Sequence, residues 1–136
     1  MRRRERRSTW SATWLHHRGV ATVESVTRLR RELSDWIQTV GVSRNLAYDL
    51  ALGCYEAMAN VVAHAYPTGT TGFLDLHARL GKDDITVTVR DHGQWKPESG
   101  QGPGGQGLVL IRRLADGVDL LRGEHGTRVD MRWLRH

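Results

Sequence analysis

Three features are scarce in this sequence of 136 residues: cysteine, long apolar runs, and positive charge beyond the N-terminus. The single cysteine, Cys54, excludes an internal disulfide framework, so we expect a reducing, cytoplasmic location. No segment approaches the roughly 18–20 consecutive apolar residues that cross a bilayer, and no hydrophobic stretch of signal-peptide type follows the N-terminus. No membrane association is predicted.

Positive charge is concentrated at one end of the chain. The formal net charge is +5, and residues 2–7, with five Arg and one Glu, contribute +4 of it. The rest of the chain therefore carries only +1, which does not predict a basic folded surface for nucleic acid. We expect residues 1–7 to be a disordered basic arm. Residues 8–136 suit one domain around a single hydrophobic core.

Spacings typical of a metal site are also missing. No His or Cys pattern resembles a zinc site. His16 and His17 are adjacent, and on a strand they would point to opposite faces, so they make a poor metal pair. Cys54 lies on the apolar side of a predicted helix and is expected to be unreactive core. The five Trp are interpreted as core or interface residues.

The first half of the sequence predicts a strand and two helices. Apolar residues alternate with polar ones over 10–14, which indicates a strand. Helical apolar spacing follows and ends at Gly41, a residue typical of a helix C-terminus. Ser43 is a good N-cap for a second helix over about 44–64, which should stop before Pro67.

The second half predicts strands around a short helix. Strands are indicated at about 72–80 and 84–91, and the glycine-rich segment 92–107 leads to a helix from Leu108. The end of the chain, "VDLLRG" and "TRVDMRWL", is typical of a hairpin. This order predicts an α+β fold: a two-layer α/β sandwich with helices on one face of a mostly antiparallel mixed sheet.

The second helix carries a narrow polar stripe among apolar residues. The stripe consists of Asp49, Gly53, Glu56, Asn60 and, at its edge, His64. A solvated helix face is normally wide and rich in Lys and Arg, yet residues 45–78 contain neither. The stripe is therefore interpreted as a functional surface.

A second carboxylate comes at the end of the strand "ITVTVRD". Strand periodicity places Asp91 on the same face as the apolar Val87 and Val89. An ionised carboxylate on a buried face is costly unless hydrogen-bond donors satisfy it, and the amino group of a ligand would be such a donor. The alternative is a strand that ends at Arg90 and leaves Asp91 in a turn.

Glycines precede the third helix and the last strand. Gly104, Gly105 and Gly107 would let a phosphate approach the unpaired amides of a helix N-terminus. Their spacing is neither that of a P-loop nor that of a Rossmann dinucleotide site. Gly126 and Thr127 are predicted at a hairpin turn, where the Thr hydroxyl would either donate to a phosphate or serve the turn.

In this order the motifs resemble the ATP-binding domain of the GHKL superfamily, and most of all its anti-sigma factor serine/threonine kinases of the RsbW and SpoIIAB type. The resemblance covers nearly everything from about residue 8 onward. The motifs are Glu56-x-x-x-Asn60-x-x-x-His64-Ala65-Tyr66, Asp91-x-Gly93, Gly105-x-Gly107-Leu108 and Gly126-Thr127-x-Val129. The segment "DHGQW" departs from the family in lacking the second glycine of many members, and the short stretch 94–104 implies a small lid over ATP.

The resemblance implies a role for each motif. Asp91 would accept a hydrogen bond from the adenine amino group. Asn60 would coordinate Mg²⁺ through its amide oxygen, and Glu56 would be the general base for an incoming serine hydroxyl. The other nucleotide contacts that it implies are His64, Gly93, Gly105, Gln106, Gly107, Leu108 and Thr127.

The implied function is that of an anti-sigma factor with ATP-dependent serine/threonine kinase activity. It would phosphorylate an anti-anti-sigma partner with a STAS domain, sequester a sigma factor and form a homodimer, without binding nucleic acid. The alternative is an ATP-binding regulatory module with weak or no kinase activity, and the presence of Glu56 favours the kinase. The catalytic domain of a two-component histidine kinase would need an upstream dimerising helix, and only about 25 residues precede the first predicted helix.

Overall fold

The computed structural model describes residues 9–10, 13–93 and 106–135, with side chains for 13–93 and 108–135. The predicted basic arm, residues 1–7, lies outside the described residues. The described elements are β1 (Thr9–Trp10), β2 (Trp14–Val20), α1 (Val23–Val40), α2 (Arg44–His64), β3 (Phe73–Leu80), β4 (Asp84–Asp91), α3 (Gln106–Leu114), β5 (Gly117–Gly123) and β6 (Gly126–Leu134).

The six strands form one sheet in the order β1-β2-β3-β4-β6-β5, and the helices pack on one of its faces. The predicted two-layer α+β fold is thereby confirmed. All five pairs of described strands are antiparallel, so this part of the sheet contains none of the parallel pairing that "mixed" implied. Because β6 lies between β4 and β5, the start of β6 is placed beside the end of β4.

The first long strand lies further along the chain than the predicted strand over 10–14. β2 runs from Trp14 to Val20, with alternate residues buried from Leu15 to Gly19. Its buried side includes His17 and Gly19, and its exposed side begins and ends with Trp14 and Val20, so the apolar alternation that marks a strand is weak in the sequence. The position of this strand is determined instead by its pairing with β3, which extends along the whole length of β2. His16 and His17 do point to opposite faces, since His17 is buried and His16 is exposed.

The bounds of α2 agree with the prediction because its end signals are local. The Ser43 hydroxyl accepts a hydrogen bond from the Leu46 N–H at 3.2 Å, which caps the helix N-terminus. The helix ends at His64, three residues before Pro67. The α1 helix ends at Gly41, whose φ of 75° is left-handed, as expected for a glycine C-cap.

The hydrophobic core fills the space between the helices and the inner face of the sheet. Trp36 of α1 and Trp133 of β6 are its largest members and are 0% and 1% exposed, whereas Trp14 is 37% exposed. Cys54 is fully buried in this core, and burial raises the pKa of its thiol. None of the described helices combines the length and the apolar character that crossing a membrane requires.

Candidate functional site

Strand β4 extends far enough to include Asp91, so the interpretation that placed this residue in a turn was wrong. The Asp91 side chain lies on the inner face and is only 1% exposed. Its Oδ1 accepts hydrogen bonds from the N–H of Gly93 at 3.0 Å and of Thr127 at 3.3 Å. Backbone donors therefore offset the cost of burying this carboxylate.

Thr127 lies beside Asp91 because the two residues are directly paired across β4 and β6. Its side chain is on the inner face and is 4% exposed. The hairpin turn is made by residues 124 and 125, between the strand ends at Gly123 and Gly126, so Thr127 belongs to the strand and not to the turn. The two site residues that come from distant parts of the sequence are thus neighbours on one face.

Two glycines are required where backbones approach Asp91 closely. Gly126 has a φ of 136°, which side-chain-bearing residues rarely adopt, and a Cβ there would overlap the carbonyl oxygen of Asp91. A Cβ at Gly93 would overlap the carbonyl oxygen of Ala65, the residue that follows α2. The Gly93 contact joins the C-terminal end of α2 to the end of β4.

This junction places part of the polar stripe near Asp91. Glu56 and Asn60 are half-buried, while His64 is exposed in the last turn of α2. At 1.5 Å of rise per residue, Glu56 and Asn60 lie roughly 14 and 8 Å along the helix axis from Ala65. None of the ion pairs found among the described residues involves Glu56.

The N-terminal part of the stripe does not belong to the same surface. Gly53 is buried, and a Cβ there would lie 3.1 Å from Cζ2 of Trp133, so this glycine lets α2 pack closely on β6. Asp49 lines a separate cavity near Lys82 and Asp116, at the other end of the helix. The interpretation of one continuous functional stripe was therefore wrong for these two residues.

The third helix begins two residues earlier than predicted, at Gln106. Gln106 and Gly107 form its first turn, where backbone amides have no partner within the helix. Leu108 is buried at 5% exposure and Ile111 is fully buried, and α3 packs against α2. Gly105, and Gly104 before it, lie outside the described residues.

A network of hydrogen bonds surrounds the segment after Asp91, and no role for its members was predicted from the sequence. The Tyr66 hydroxyl accepts a hydrogen bond from the His92 N–H at 2.9 Å and donates one to the carbonyl oxygen of Phe73 at 2.6 Å. Asp75 binds Arg18 Nε at 2.7 Å and His92 Nε2 at 3.1 Å. Only the position of Tyr66 directly after His64 and Ala65 in the first motif could have indicated its importance.

Burial and hydrogen bonding have opposite effects on the pKa of Asp75 in this network. Desolvation alone raises the pKa of Asp75, but the hydrogen bonds from Arg18 and His92 outweigh it, so the pKa lies below its ordinary value. Desolvation is the main reason why the pKa of Tyr66 is raised. The Tyr66 phenol is therefore protonated at neutral pH and able to donate.

The described side chains do not form a metal-binding site by themselves. Within 13–93 and 108–135, no group of three or more His, Cys, Asp or Glu side chains is arranged to hold a metal ion. Asn60 supplies a neutral amide oxygen, which is a ligand type that Mg²⁺ accepts when phosphates and waters complete its shell.

Comparison with known proteins gives a family and relatives from the sequence, and a matching fold from the structure. A family described as the histidine kinase-like ATPase domain matches residues 19–133. The chain is 28% identical over 124 residues to the serine-protein kinase RsbW of Bacillus licheniformis, which covers 79% of this chain and 78% of that protein. It is 29% identical over 128 residues to the serine-protein kinase RsbW of Staphylococcus epidermidis, with coverage of 82% and 80%.

The fold also matches a solved structure, that of the RsbU and RsbW domains of a Mycobacterium tuberculosis protein. The TM-score is 0.74 at 24% identity, and the match covers 90% of this chain and 33% of the longer one. The family model spans most of the chain, including α2, β4 and the start of β6. The chain belongs to the histidine kinase-like ATPase domain family, which is the GHKL-like family.

Proposed function

We propose that this chain is an ATP-dependent protein serine/threonine kinase that also acts as an anti-sigma factor. The observation that carries the proposal is the buried Asp91 carboxylate, held by the backbone amides of Gly93 and Thr127 at the end of β4. A carboxylate fixed by donors that cannot rotate away is suited to accept a hydrogen bond from a ligand. In the proposed site, its Oδ2 accepts from the adenine amino group.

The nucleotide then extends from Asp91 towards α2 and α3. Thr127 hydrogen-bonds in the same pocket, and His64 lies beside the nucleotide. Phosphates are bound by the backbone amides before and within the first turn of α3, where the helix dipole favours negative charge. The residues proposed for this contact are Gly105, Gln106, Gly107 and Leu108.

Asn60 is proposed to hold Mg²⁺ together with the phosphates. An amide oxygen is a hard ligand, and a site with few protein ligands suits an ion that keeps several waters. When bound, the metal supplies charge stabilisation to the transferring phosphoryl group. The half-buried position of Asn60 four residues before His64 supports this assignment.

Glu56 is proposed as the general base. Its carboxylate accepts the proton of a serine hydroxyl while the serine oxygen bonds to the γ-phosphorus and the bond to the ADP oxygen breaks. Glu56 lies one turn before Asn60 on the same helix, half-buried, with no described ion pair to neutralise it. This position supports the assignment.

The proposed protein partners are an anti-anti-sigma protein with a STAS domain, which carries the serine, and a sigma factor, which the kinase sequesters. The relatives named serine-protein kinase RsbW support the phosphotransfer part of this proposal. We also propose a cytoplasmic homodimer that binds no nucleic acid directly.

Glu56→Gln is the experiment that tests the kinase. A general base contributes about 10²–10⁴-fold to the chemical step, so the variant should transfer labelled phosphate from ATP to a STAS-domain partner at least ~100-fold more slowly. ATP affinity, measured by calorimetry, should stay nearly normal. Asp49→Asn is the matched control on the same helix and should retain the parent rate.

An unchanged transfer rate in Glu56→Gln would contradict the catalytic role. If the parent binds ATP but neither protein transfers phosphate, the chain is the regulatory binding module and not a kinase. Both outcomes remain informative because nucleotide affinity is measured on the same samples.

A further inference from the structure

Tyr66 connects three segments that meet beside the proposed adenine site. It lies two residues after the end of α2, its hydroxyl accepts from the His92 N–H at 2.9 Å, and the same hydroxyl donates to the Phe73 carbonyl oxygen at 2.6 Å. His92 is the residue between Asp91 and Gly93, whose own N–H donates to the Asp91 carboxylate. One phenol therefore holds the backbone of the turn that orients Asp91.

The ring of Tyr66 is held in place on both sides. A Cβ at Gly72 would overlap the ring, so the absence of a side chain there creates the space that the ring occupies. A Cβ at Gly93 would lie 3.0 Å from Cδ1 of the same ring. Because the ring has little room to move, the hydroxyl stays between His92 and Phe73.

The His92 side chain provides a second anchor for the turn. Its Nε2 lies 3.1 Å from Oδ2 of Asp75, whose other oxygen binds Arg18 Nε at 2.7 Å. These side chains are on the outer face of the sheet, whereas Tyr66 approaches from the end of α2. Residue 92 is therefore held through its side chain by Asp75 and through its backbone N–H by Tyr66.

We propose that Tyr66 is a positioning residue for base recognition: through the His92 amide it fixes the Asp91 carboxylate in the orientation that accepts a hydrogen bond from the adenine amine. This inference rests on the proposed function, because it assumes that Asp91 contacts the base. It concerns selectivity between bases and not phosphate binding, since Tyr66 touches the turn that carries Asp91. A purely structural Tyr66 would affect every nucleotide equally.

The experiment compares ATP with inosine triphosphate, which has a carbonyl group in place of the amino group that Asp91 would recognise. Tyr66→Phe keeps the ring and removes the hydroxyl. By the usual net value of one hydrogen bond, ATP affinity should fall roughly three- to tenfold while affinity for inosine triphosphate is retained. The ratio of the two affinities, measured by calorimetry, should therefore fall by the same factor.

Two further variants separate this role from a loss of stability. Tyr48→Phe is the matched control, because Tyr48 lies in the helix that precedes Tyr66 and is 66% exposed, and it should leave the ratio unchanged. Gly72→Ala retains the Tyr66 hydroxyl but forces the ring to shift, and should lower the ratio as Tyr66→Phe does. In an Asp91→Ala background, Tyr66→Phe should have no further effect on the ratio.

The outcomes distinguish this inference from the function on which it rests. If the parent binds ATP and inosine triphosphate equally, base recognition by Asp91 fails, and the role of Tyr66 fails with it. If the parent prefers ATP and both Tyr66→Phe and Gly72→Ala keep that preference, the Tyr66 inference alone is overturned. A folded Tyr66→Phe variant with equally weakened binding of both nucleotides would also overturn it.

Discussion

Strand β4 has an aspartate at each end, and the two carboxylates are satisfied in different ways. Asp84 is half-buried and binds Nε of Arg132, an exposed side chain on the adjacent strand, at 2.5 Å. Asp91 is 1% exposed and accepts hydrogen bonds from the backbone amides of Gly93 and Thr127. The same residue type on one strand thus has an exposed cationic partner at one end and backbone amide donors at the other.

The difference separates a structural carboxylate from one suited to recognition. A solvent-accessible ion pair contributes about 0–1 kcal/mol, and its cation already neutralises the acid. The backbone amides of Gly93 and Thr127 are fixed by the chain, so they hold the buried Asp91 carboxylate in one orientation. Both ends of β4 carry an aspartate, so the type of hydrogen-bond donor is what distinguishes them.

The largest expected effect is on nucleotide binding at the Asp91 end. Asp91→Ala should weaken ATP binding by ~2 kcal/mol or more, because it removes the acceptor that we propose for the adenine amine. Asp84→Ala should leave ATP affinity unchanged. Calorimetric titration of both variants checks this, and equal affinity of the parent for ATP and GTP would remove the role assigned to Asp91, since GTP presents a carbonyl at that position.

A second contrast concerns the glycine beside each aspartate. Gly126→Ala should lower the free energy of unfolding by more than about 1 kcal/mol, because its φ is positive and the new Cβ meets the rigid carbonyl of Asp91. Gly81→Ala should cost less, since the closest atom to its Cβ would be a side-chain oxygen of Asp84, at 2.5 Å, which can rotate away, and the nearest backbone oxygen is 3.3 Å away. Urea denaturation compares the two, and equal losses would show that backbone geometry at Gly126 is not special.

The smallest expected effect concerns Asp75. Like Asp84 it has an arginine partner, and like Asp91 it lies next to the candidate site. Its pKa is lowered in the folded state, so its contribution is fully present above the unfolded value of about 3.8 and is lost as pH falls through the lower folded value. Asp75→Asn should therefore reduce stability at neutral pH by less than about 1 kcal/mol. The difference from the parent should shrink on acidification towards the folded-state pKa.

Asp119→Asn on an exposed part of β5 is the control for this pH series. Thermal or urea unfolding between pH 3 and 7 measures both variants. A stability difference for Asp75→Asn that stays constant or grows on acidification would show that the carboxylate charge is not what stabilises the fold there.

The parts of the fold that the sequence predicted well depend on local signals. The Ser43 cap and the approach to Pro67 determine α2, and the period of two in β4 correctly places Asp91 on the inner face. The strand over 10–14 was misplaced because β2 is fixed by pairing with β3, which a sequence window does not contain. Local chemistry is readable from sequence, whereas pairing between distant strands is not.

The same division holds for the candidate site. Asp91 and Thr127 were both predicted, but the hydrogen bond between them arises from the β4–β6 register, across 36 residues of chain. Gly53 was grouped with the polar residues because helical periodicity gives the direction in which a residue faces. It does not give the residue that packs there, which is Trp133. Tyr66 was visible in a motif, yet its two backbone partners come from other elements.

The burial of Cys54 has a consequence for labelling experiments. It is the only cysteine in the sequence, it lies fully inside the core, and its raised pKa keeps the thiol protonated. Thiol-reactive reagents attack the thiolate, so the native protein should resist modification while folded. A cysteine introduced on the exposed surface of α2 or β5 would then be the single reactive position, and a fluorophore attached there would report on that element alone.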